Sequence, residues 1–302
     1  MRLVLLLLAC AGTAHARTIT AGPGQEYSAP SAAAAAAADG DTIQIAPGAY
    51  FDCIVTTKSL IIQGPATLTD TTCEGKAILV LKGDSAVVRD LTLARARVPD
   101  GNGAGIRWEG RNLTAERVRF ENNEVALLAG AGGALTVTGC DITAGPAGLI
   151  AVLVGDAEQV IISDTRLTVT HGSVLSSSAK LTTITGSTIE TADGGVMLSG
   201  TAAIQDAVFT LRSGAASQAV RTTGGGVSVR RVRLVNATGQ PAALLQDWGR
   251  ERPAVEANLL QPGDTEVSTA GVWRFRAGRA LRDAKATLKD AARGAKRAVL
   301  GP

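Results

Sequence analysis

The chain has 302 residues, of which 45% are hydrophobic, 19% charged and 3% aromatic, with 35 glycines and a formal net charge of +3. This composition excludes an intrinsically disordered or collagen-like chain and predicts a globular protein with an aliphatic core. The sequence has two histidines, and one of them lies within the first sixteen residues, so we expect no histidine-rich zinc site.

The first sixteen residues are typical of an export signal. Residues 3–14 form a short apolar run after an arginine, and residues 14–16 (Ala-His-Ala) match a small-x-small cleavage site. The run is too short to span a membrane as a helix. We therefore expect cleavage near Ala16 and a mature protein that is secreted or periplasmic. Lipid attachment at Cys10 is an alternative.

The segment 17–41 is predicted to cap the amino-terminal end of the fold. Residues 31–38 form an alanine-rich run with high helix propensity, and Asp39 and Gly40 end it. The first strand of the body, Thr42–Ile45, follows directly. A helix at this position would cover strand edges that an open β-coil leaves unpaired.

The body of the chain is a repeat. An eight-residue pattern has apolar or small residues at its first, third, sixth and eighth places, as in Leu113, Ala115, Val118 and Phe120. It starts at residues 60, 86, 113, 135, 160, 182, 202 and 227, a mean spacing of about 24 residues. Alternation within each half predicts a strand, and the two residues between the halves predict a bend.

Another strand recurs between these units and usually ends in glycine, as in residues 78–83, 105–110 and 195–200. Each repeat therefore contains three short strands and three turns. Without a helical period, leucine-rich and ankyrin repeats are disfavoured. The pattern predicts an all-β, single-domain parallel β-coil of about eight or nine turns over residues 42–248, with turns about 4.8 Å apart.

This repeat resembles the right-handed parallel β-helix of pectin-lyase-like proteins. Segments 94–107, 110–114 and 120–123 resemble the bacterial branch of secreted right-handed β-helix repeat proteins. The resemblance covers roughly residues 40–248. It implies the fold and leaves the activity open, because this fold hosts lyases, hydrolases, epimerases, adhesins and non-enzymes.

Three cysteines remain in the predicted mature chain. Cys53 and Cys73 are 20 residues apart, close to one turn of the coil, so they can stack on adjacent turns. In an oxidising compartment we expect a disulfide worth about 3 kcal/mol, with two free thiols as the alternative. Cys140 occupies a sixth, inward place and is expected to be a buried core residue.

Many charged residues have a structural explanation. Arg89 is predicted to stack over Glu116 and Asp90 over Arg117 on adjacent turns. A further outward column is predicted to contain three charged residues on successive turns: Arg119, Asp141 and Arg166. Because opposite charges on neighbouring turns support each other, we assign these residues no catalytic role.

The longest connection between units, residues 94–112, is the candidate functional site, because long loops on a rigid scaffold commonly carry function. It is rich in arginines and carboxylates, and the next turn adds acidic residues at the equivalent corner. We predict four catalytic residues: Asp100, Arg107, Glu109 and Glu121. We predict four substrate-binding residues: Arg95, Arg97, Asn102 and Glu124.

These residue types suit an acidic sugar, since arginine binds a carboxylate bidentately and a carboxylate serves as general acid or base. A structural interpretation also stays open. In it, glycines shape the loop, Asn123 joins an internal asparagine ladder, and Lys82 pairs with Glu109. We expect no metal and no other cofactor, with calcium binding by residues 100–103 as the alternative.

The carboxyl-terminal region, residues 249–302, is predicted to be a linker and a basic amphipathic helix. Residues 271–302 carry a net charge of +7, with apolar residues at helical spacing. This helix could cap the coil through Trp273 and Phe275, contact anionic envelope lipid, or capture an acidic glycan. We expect no nucleic-acid partner and a monomeric protein.

Two functions fit these observations. The first is an exported β-helix protein that acts on or binds an acidic polysaccharide, as a lyase, hydrolase or epimerase would. The alternative is a non-catalytic cell-envelope or glycan-binding β-helix protein. The first would yield product from a polysaccharide, and the second would not.

Overall fold

The computed structural model describes residues 15–144, 150–192, 194–214, 217–249 and 251–269. The predicted basic helix of residues 271–302 lies outside these ranges, as does the predicted signal up to residue 14. Within the described ranges the chain forms one short helix, α1 (Pro30–Ala36), and otherwise strands, which agrees with the predicted all-β class.

The strands follow one another along the whole described chain. The first half of them are β1 (Thr18–Ala21), β2 (Thr42–Ile45), β3 (Ala49–Tyr50), β4 (Ile54–Thr56), β5 (Ile61–Thr69), β6 (Ala77–Leu81), β7 (Ser85–Ala94), β8 (Ala104–Trp108), β9 (Asn112–Glu116), β10 (Arg119–Asn123), β11 (Val125–Thr138), β12 (Asp141–Ala144) and β13 (Ile150–Ser163). The others are β14 (Arg166–Val169), β15 (Ser173–Ser177), β16 (Leu181–Thr185), β17 (Thr188–Thr191), β18 (Gly194–Leu198), β19 (Thr201–Gln205), β20 (Val208–Leu211), β21 (Gln218–Thr222), β22 (Val227–Arg230), β23 (Arg233–Asn236), β24 (Ala243–Asp247), β25 (Ala254–Glu256) and β26 (Thr265–Ser268).

These strands coil into three parallel sheets of a right-handed β-helix. Sheet A contains β1, β2, β9, β16, β19, β22 and β25, with the first halves of β5 and β7 and the second halves of β11 and β13. Sheet B contains β3, β10, β12, β14, β17, β20 and β23, with the second halves of β5 and β7. Sheet C contains β4, β6, β8, β15, β18, β21, β24 and β26, with the first halves of β11 and β13.

The inward places of the eight-residue pattern are buried, as predicted. In the unit that starts at residue 113, Leu113, Ala115, Val118 and Phe120 are at most 1% exposed. Equivalent residues of successive turns pair in register, so the core consists of columns of like side chains along the coil axis. This arrangement buries a core with few aromatic residues.

The bend between sheets A and B depends on a left-handed residue at the fifth place of the pattern. Asp90, Arg117 and Asp206 have φ values of 57°, 51° and 53° there, and Gly186 has 57°. Aspartate tolerates this conformation better than most residues, and glycine adopts it freely. The predicted stack of Asp90 and Arg117 is confirmed by two hydrogen bonds from the guanidinium, at 2.7 and 2.9 Å.

The glycine that usually ends a sheet C strand is required by close approach of the backbone. A Cβ atom on Gly110 would contact the carbonyl oxygen of Gly83 on the preceding turn. A Cβ atom on Gly83 would contact the carbonyl oxygen of Lys58 in the same way. This corner is therefore too tight for a side chain.

The coil has about ten turns, so the predicted eight or nine is an underestimate. Sheet A begins with β1, before the helix, and ends with β25, so the coil extends beyond residues 42–248 at both ends. The last turn departs from the pattern because the polar Asn258 takes an inward sixth place. Its Oδ1 accepts a hydrogen bond from Val232 N at 2.8 Å, and its Nδ2 donates to Val229 O at 3.0 Å.

The amino-terminal helix lies where it was predicted, but it spans Pro30–Ala36 instead of residues 31–38. Proline is favoured in the first turn because it has no N–H to satisfy there. The helix ends early because Ala37 is extended and the Asp41 carboxylate accepts a hydrogen bond from Ala38 N at 2.9 Å. Its buried face packs on β1, β2 and β4.

The predicted disulfide between Cys53 and Cys73 is present, with the two Cα atoms 5.7 Å apart. It ties the segment before β4 to the segment before β6. Cys140 is buried as predicted, and burial raises the pKa of its thiol to about 11, so the thiol is unreactive near neutral pH.

The predicted columns of charge are also confirmed by the strand register. Arg89 lies beside Glu116 on the next turn of sheet A. In sheet B, Arg119 lies beside Asp141, and Asp141 lies beside Arg166. No described helix is long and apolar enough to cross a membrane.

Candidate functional site

The loop between β7 and β8 is held by hydrogen bonds to two buried side chains of the next turn. Oε2 of Glu124 accepts hydrogen bonds from Val98 N at 3.0 Å and from Gly103 N at 2.7 Å. Asn123, which is 1% exposed, accepts from Ala96 N at 2.9 Å and donates to a backbone carbonyl of β7 at 2.8 Å. The predicted substrate-binding Glu124 is thus engaged with the backbone of the loop.

The two arginines at the start of this loop are also engaged. Arg95 binds Asp70 on the preceding turn through two hydrogen bonds of 2.7 and 2.5 Å, which lower the pKa of Asp70 to about 2. Arg97 donates to the carbonyl oxygen of Asn122 at 2.6 Å and to its Oδ1 at 2.9 Å. Both guanidinium groups therefore join neighbouring turns to each other.

The remaining predicted residues of this corner face solvent. Asp100 and Asn102 lie at the loop tip and bond to each other, with Nδ2 2.8 Å from Oδ2. Glu121 lies on the outer face of sheet B, where it pairs with Arg119 at 2.7 Å. Glu121 is therefore on a different sheet from Arg107 and Glu109, which belong to the sheet C side of the coil.

Arg107 and Glu109 belong to an ion-pair network on the outer face of sheet C. Lys76 pairs with Glu109 at 2.9 Å and with Glu74 at 3.2 Å, and Arg107 Nε lies 3.3 Å from Glu109. Lys82 pairs with Glu74 at 2.6 Å instead of with Glu109, so the simple pair predicted from the sequence is replaced by a network. We call these five residues the Arg107 network.

The ion pairs set the protonation states of this network. Hydrogen bonds from Lys76 chiefly lower the pKa of Glu109, and those from Lys82 chiefly lower the pKa of Glu74. The same contacts raise the pKa of Lys76, with Glu109 as the largest cause. At neutral pH, Glu109 is thus a poor proton donor and Lys76 a poor base, since efficient acid–base catalysis needs a pKa near the working pH.

Beside this network, the outer face of sheet C is covered by an apolar cluster. Ala77, Val80, Ala104, Val125 and Leu128 are all buried outside the main core. Cys73 of the disulfide and Leu153 pack against them. The first turns of sheet C therefore expose mainly charged side chains, together with Val55 of β4, which is 39% exposed.

Farther along the same face, the outward column changes character. Register pairs join one residue of each turn into a single column: Val80, Arg107, Leu128, Leu153, Ser176, Met197, Arg221, Gln246 and Ser268. Arg221 lies five strands from Arg107, which is about 24 Å at a strand spacing of about 4.8 Å. No carboxylate belongs to this column.

Arg221 is held by neutral partners. Its guanidinium carbon lies 4.9 Å from the centroid of the Trp248 ring, and its Nε donates a 2.9 Å hydrogen bond to Oε1 of Gln246. Within the described part of the chain, its two Nη groups have no hydrogen-bond partner. Stacking on an aromatic ring together with one hydrogen bond fixes the plane of a guanidinium and leaves its other donors available.

A cavity of about 350 Å³ lies next to Arg221 on this face. Its lining comprises backbone, hydroxyl and amide groups, two apolar residues and one cation: Gly172, Ser173, Gly194, Gly195, Val196, Met197, Ser217, Gln218 and Arg221. Among these lining residues Arg221 is the one charged group. We call this place the Arg221 cavity. Its volume is near the lower end of ligand pockets, about 300–1,000 Å³.

The sequence-based prediction missed Arg221, Gln246 and Trp248. The signal was present, because β21 and β24 are strands of the glycine-ended type and each carries a polar residue at its fourth position. Aligning those strands by position would have placed Arg221 over Gln246. The predicted site was sought instead in the longest loop, where the charges pair internally.

The residues described here contain no group of three or more histidine, cysteine, aspartate or glutamate side chains arranged to hold a metal ion. Calcium binding at residues 100–103 stays a prediction, to which this structure adds the Asp100–Asn102 hydrogen bond.

No protein-family profile matches the sequence, and no curated protein matches it. Among solved structures, the pectate lyase Pel9A is similar with a TM-score of 0.56 at 14% identity, covering 86% of this chain and 80% of that protein. A pectin methylesterase from Aspergillus niger is similar with a TM-score of 0.45 at 12% identity, covering 84% and 86%. At such identities, the similarity to the pectate lyase shows that the two proteins share the β-helix fold.

Proposed function

We propose that the protein binds an acidic polysaccharide along the outer face of sheet C, with Arg221 as the main carboxylate-binding residue. The observation that carries this proposal is the Arg221 guanidinium, which is fixed by Trp248 and Gln246 and has available Nη donors beside a cavity. Arginine in this state favours a planar anion such as a carboxylate, because two parallel hydrogen bonds can form.

The lining of the Arg221 cavity suits a sugar. Ser173, Ser217 and Gln218 supply neutral hydrogen-bonding groups, and Met197 supplies an apolar surface. Since the described lining includes no carboxylate, an anionic ligand meets no like charge there. A neutral sugar would leave Arg221 without its strongest type of partner, so the site favours acidic sugars.

The shape of the face suits a chain instead of a single sugar. The outward column runs from the Arg221 cavity past Ser176 and Leu153 toward Arg107, parallel to the coil axis. A polysaccharide lying along this column would meet a cation at each end. The pectate lyase Pel9A shares the fold, and pectate is a chain of this chemical type.

The geometry favours binding over cleavage. At the Arg107 network, the predicted catalytic Glu109 is paired with two cations, and its pKa is lowered. At the Arg221 cavity, no described side chain is a candidate acid or base. The catalytic roles of Asp100, Arg107, Glu109 and Glu121 stay predictions, and the non-catalytic alternative receives the stronger support.

Calorimetry with two oligosaccharides tests the proposal. The probes are a galacturonate oligomer and its fully methyl-esterified counterpart, which is a matched neutral control. We expect binding of the acidic oligomer and at least tenfold weaker binding by Arg221→Gln, equivalent to about 1.4 kcal/mol. Arg233→Gln changes an exposed arginine on the outer face of sheet B and should leave Kd unchanged.

Two results would contradict the proposal. One is equal affinity for the charged and the esterified oligomer, and the other is equal affinity of the wild type and Arg221→Gln. The same samples, followed for unsaturated and reducing ends, separate binding from turnover. Product release that survives Arg221→Gln and stops in Glu109→Gln would move the site to the Arg107 network.

A further inference from the structure

The end of the predicted export signal meets a buried carboxylate. The backbone N of Arg17 donates a 2.8 Å hydrogen bond to Oδ1 of Asp41, and Nη2 of Arg17 donates a 3.0 Å bond to Oδ2. Ala38 N adds a 2.9 Å bond to Oδ2. The Asp41 side chain is 2% exposed, so a buried anion directly faces the main-chain nitrogen of Arg17.

Arg17 is also the first residue that belongs to the folded coil. Its carbonyl oxygen accepts a hydrogen bond from Thr42 N at 2.8 Å, and Thr18 pairs with Thr42 as sheet A begins. His15 and Ala16 are exposed and lie outside any strand. Among the described residues, the strand pairing of the coil thus begins directly after the Ala16–Arg17 bond.

We propose that the export signal is removed at the Ala16–Arg17 bond and that the α-ammonium so formed makes a buried ion pair with Asp41. In this hydrolysis by a signal peptidase, water breaks the amide bond. The carbonyl carbon of Ala16 takes the hydroxyl group, and the nitrogen of Arg17 takes a hydrogen and then a further proton from solvent. An amide donor with one hydrogen becomes an ammonium with three.

The other charged groups nearby already have partners, so Asp41 is the carboxylate that pairs with this ammonium. The neighbouring Asp39 accepts a 2.6 Å hydrogen bond from Ser59 N, and Lys58 donates to carbonyls of the α1 helix. The guanidinium of Arg17 itself shares Asp41. Backbone hydrogen bonds from Ala38 and Arg17 lower the pKa of Asp41 to about 2, so it is ionised when the ammonium appears.

The consequence is a cap that is complete only in the processed protein. Before cleavage, Arg17 contributes a neutral amide to Asp41. After cleavage it contributes a positive charge, so the hydrogen bond to the ionised carboxylate gains the attraction between two opposite charges. Asp41 also accepts a hydrogen bond from Ala38 N, between α1 and β2, so the new ion pair strengthens β1, α1 and β2 together.

A thermodynamic cycle tests the ion pair. Proteins that start at Arg17 and at Ala16 are made from cleavable fusions, each with Asp41 and with Asp41→Asn. At pH 7 we expect the Ala16 start to lower Tm by about 2–4 °C with Asp41 and by under about 1 °C with Asp41→Asn. An equal shift in both backgrounds would overturn the proposal.

A second measurement does not depend on folding of the Asp41→Asn protein. The two starts are compared with Asp41 intact at about pH 10.5, where an α-amino group of ordinary pKa near 8 is neutral. Pairing with Asp41 is expected to raise the pKa of the new α-amino group, so the stabilisation is present below about pH 8 and is lost as the pH rises through that raised pKa. We expect the Tm difference between the two starts to shrink there, and a constant difference would contradict the ion pair.

The site of cleavage is tested on protein exported from cells that carry the full gene. Amino-terminal sequencing and intact mass should give a chain that begins Arg-Thr-Ile-Thr. A chain that begins at Cys10 with a lipid mass would overturn the proposal, as would a chain that begins at any residue other than Arg17.

Discussion

The two arginines on the outer face of sheet C occupy equivalent positions of the same column, yet their surroundings differ. Arg107 joins a network with Lys76 and Glu109, next to a buried apolar cluster under the disulfide. Arg221 stacks on Trp248, bonds to the neutral Gln246 and faces an open cavity. One cation is neutralised within the fold, and the other keeps donors for a ligand.

This difference shows that the number of charges in a region says little about binding. The connection of residues 94–112 is rich in charge, and Arg95 and Arg97 at its start bind a carboxylate and a carbonyl of neighbouring turns. On the outer face of sheet C the later turns carry few charges, and the described residues beside Arg221 include no carboxylate that pairs with it. An arginine keeps hydrogen-bond donors for a ligand only where no neighbouring carboxylate already binds them.

The largest effect is expected from the disulfide, which belongs to the region of Arg107. Replacing both Cys53 and Cys73 with alanine should lower the free energy of unfolding by about 3 kcal/mol, because the cross-link no longer restricts the unfolded chain. Chemical denaturation measures this change, with Cys140→Ala as the control that leaves the bond intact. Oligosaccharide affinity at Arg221 should not change, and a tenfold loss would show that the two regions are coupled.

A smaller effect is expected from the side chain that supports the charged loop. Asn123→Ala should lower the free energy of unfolding by about 2 kcal/mol, because two buried backbone groups lose their hydrogen bonds. Asn102→Ala at the loop tip is the matched control, expected within about 0.5 kcal/mol of the wild type. Equal stability of the two variants would contradict the role of Asn123 in supporting the loop.

The comparison of the arginines themselves is tested by affinity. Arg107→Gln should change Kd for a galacturonate oligomer by less than about threefold, because Glu109 already balances its charge. Arg221→Gln should raise Kd at least tenfold, about 1.4 kcal/mol. The reverse order of these two effects, measured by calorimetry, would place the carbohydrate at the Arg107 network.

The smallest effect is expected from the exposed pairs that join turns in both regions. Arg95 and Arg231 lower the pKa values of Asp70 and Asp206 to about 2. Between about pH 2 and pH 4 the unfolded chain, with an ordinary aspartate pKa near 3.9, binds protons that the folded chain does not. Stability should therefore rise with pH across this window and fall as the pH drops toward 2.

Thermal unfolding between pH 2 and pH 5 measures this slope. The double variant Asp70→Asn, Asp206→Asn should show a shallower rise of Tm with pH. Asp100→Asn, at the exposed loop tip, should leave the slope unchanged. If the double variant keeps the full slope, other carboxylates carry the acid sensitivity.

The fold could be predicted from the sequence because its signal is local and repeated. Each turn repeats the same places, and the prediction of three strands, a bend, a disulfide and buried Cys140 agrees with the structure. The count of turns was low because the first and last turns lack the pattern. The α1 helix lies between β1 and β2 in the first turn, and the last turn carries Asn258 in an inward place.

The candidate site was harder to predict because it depends on contacts between turns of unequal length. Lys76 reaches Glu109 across 33 residues, and Arg221 reaches Gln246 across 25. Arg221 and Gln246 are register partners on adjacent turns, whereas Lys76 and Glu109 are not. The sequence shows which residues point outward, whereas the partner of each outward residue depends on loop lengths and side-chain reach.

The sequence by itself determined the coil, its aliphatic core and the disulfide, because inward places at fixed spacing dictate which side chains leave water. The tertiary structure alone decided which cations are neutralised and which stay available. Arg107 and Arg221 hold the same position within their strands, and the first of them pairs with Glu109, which also binds Lys76 of the preceding turn. The second meets an indole ring and an amide, which hold its plane without cancelling its charge.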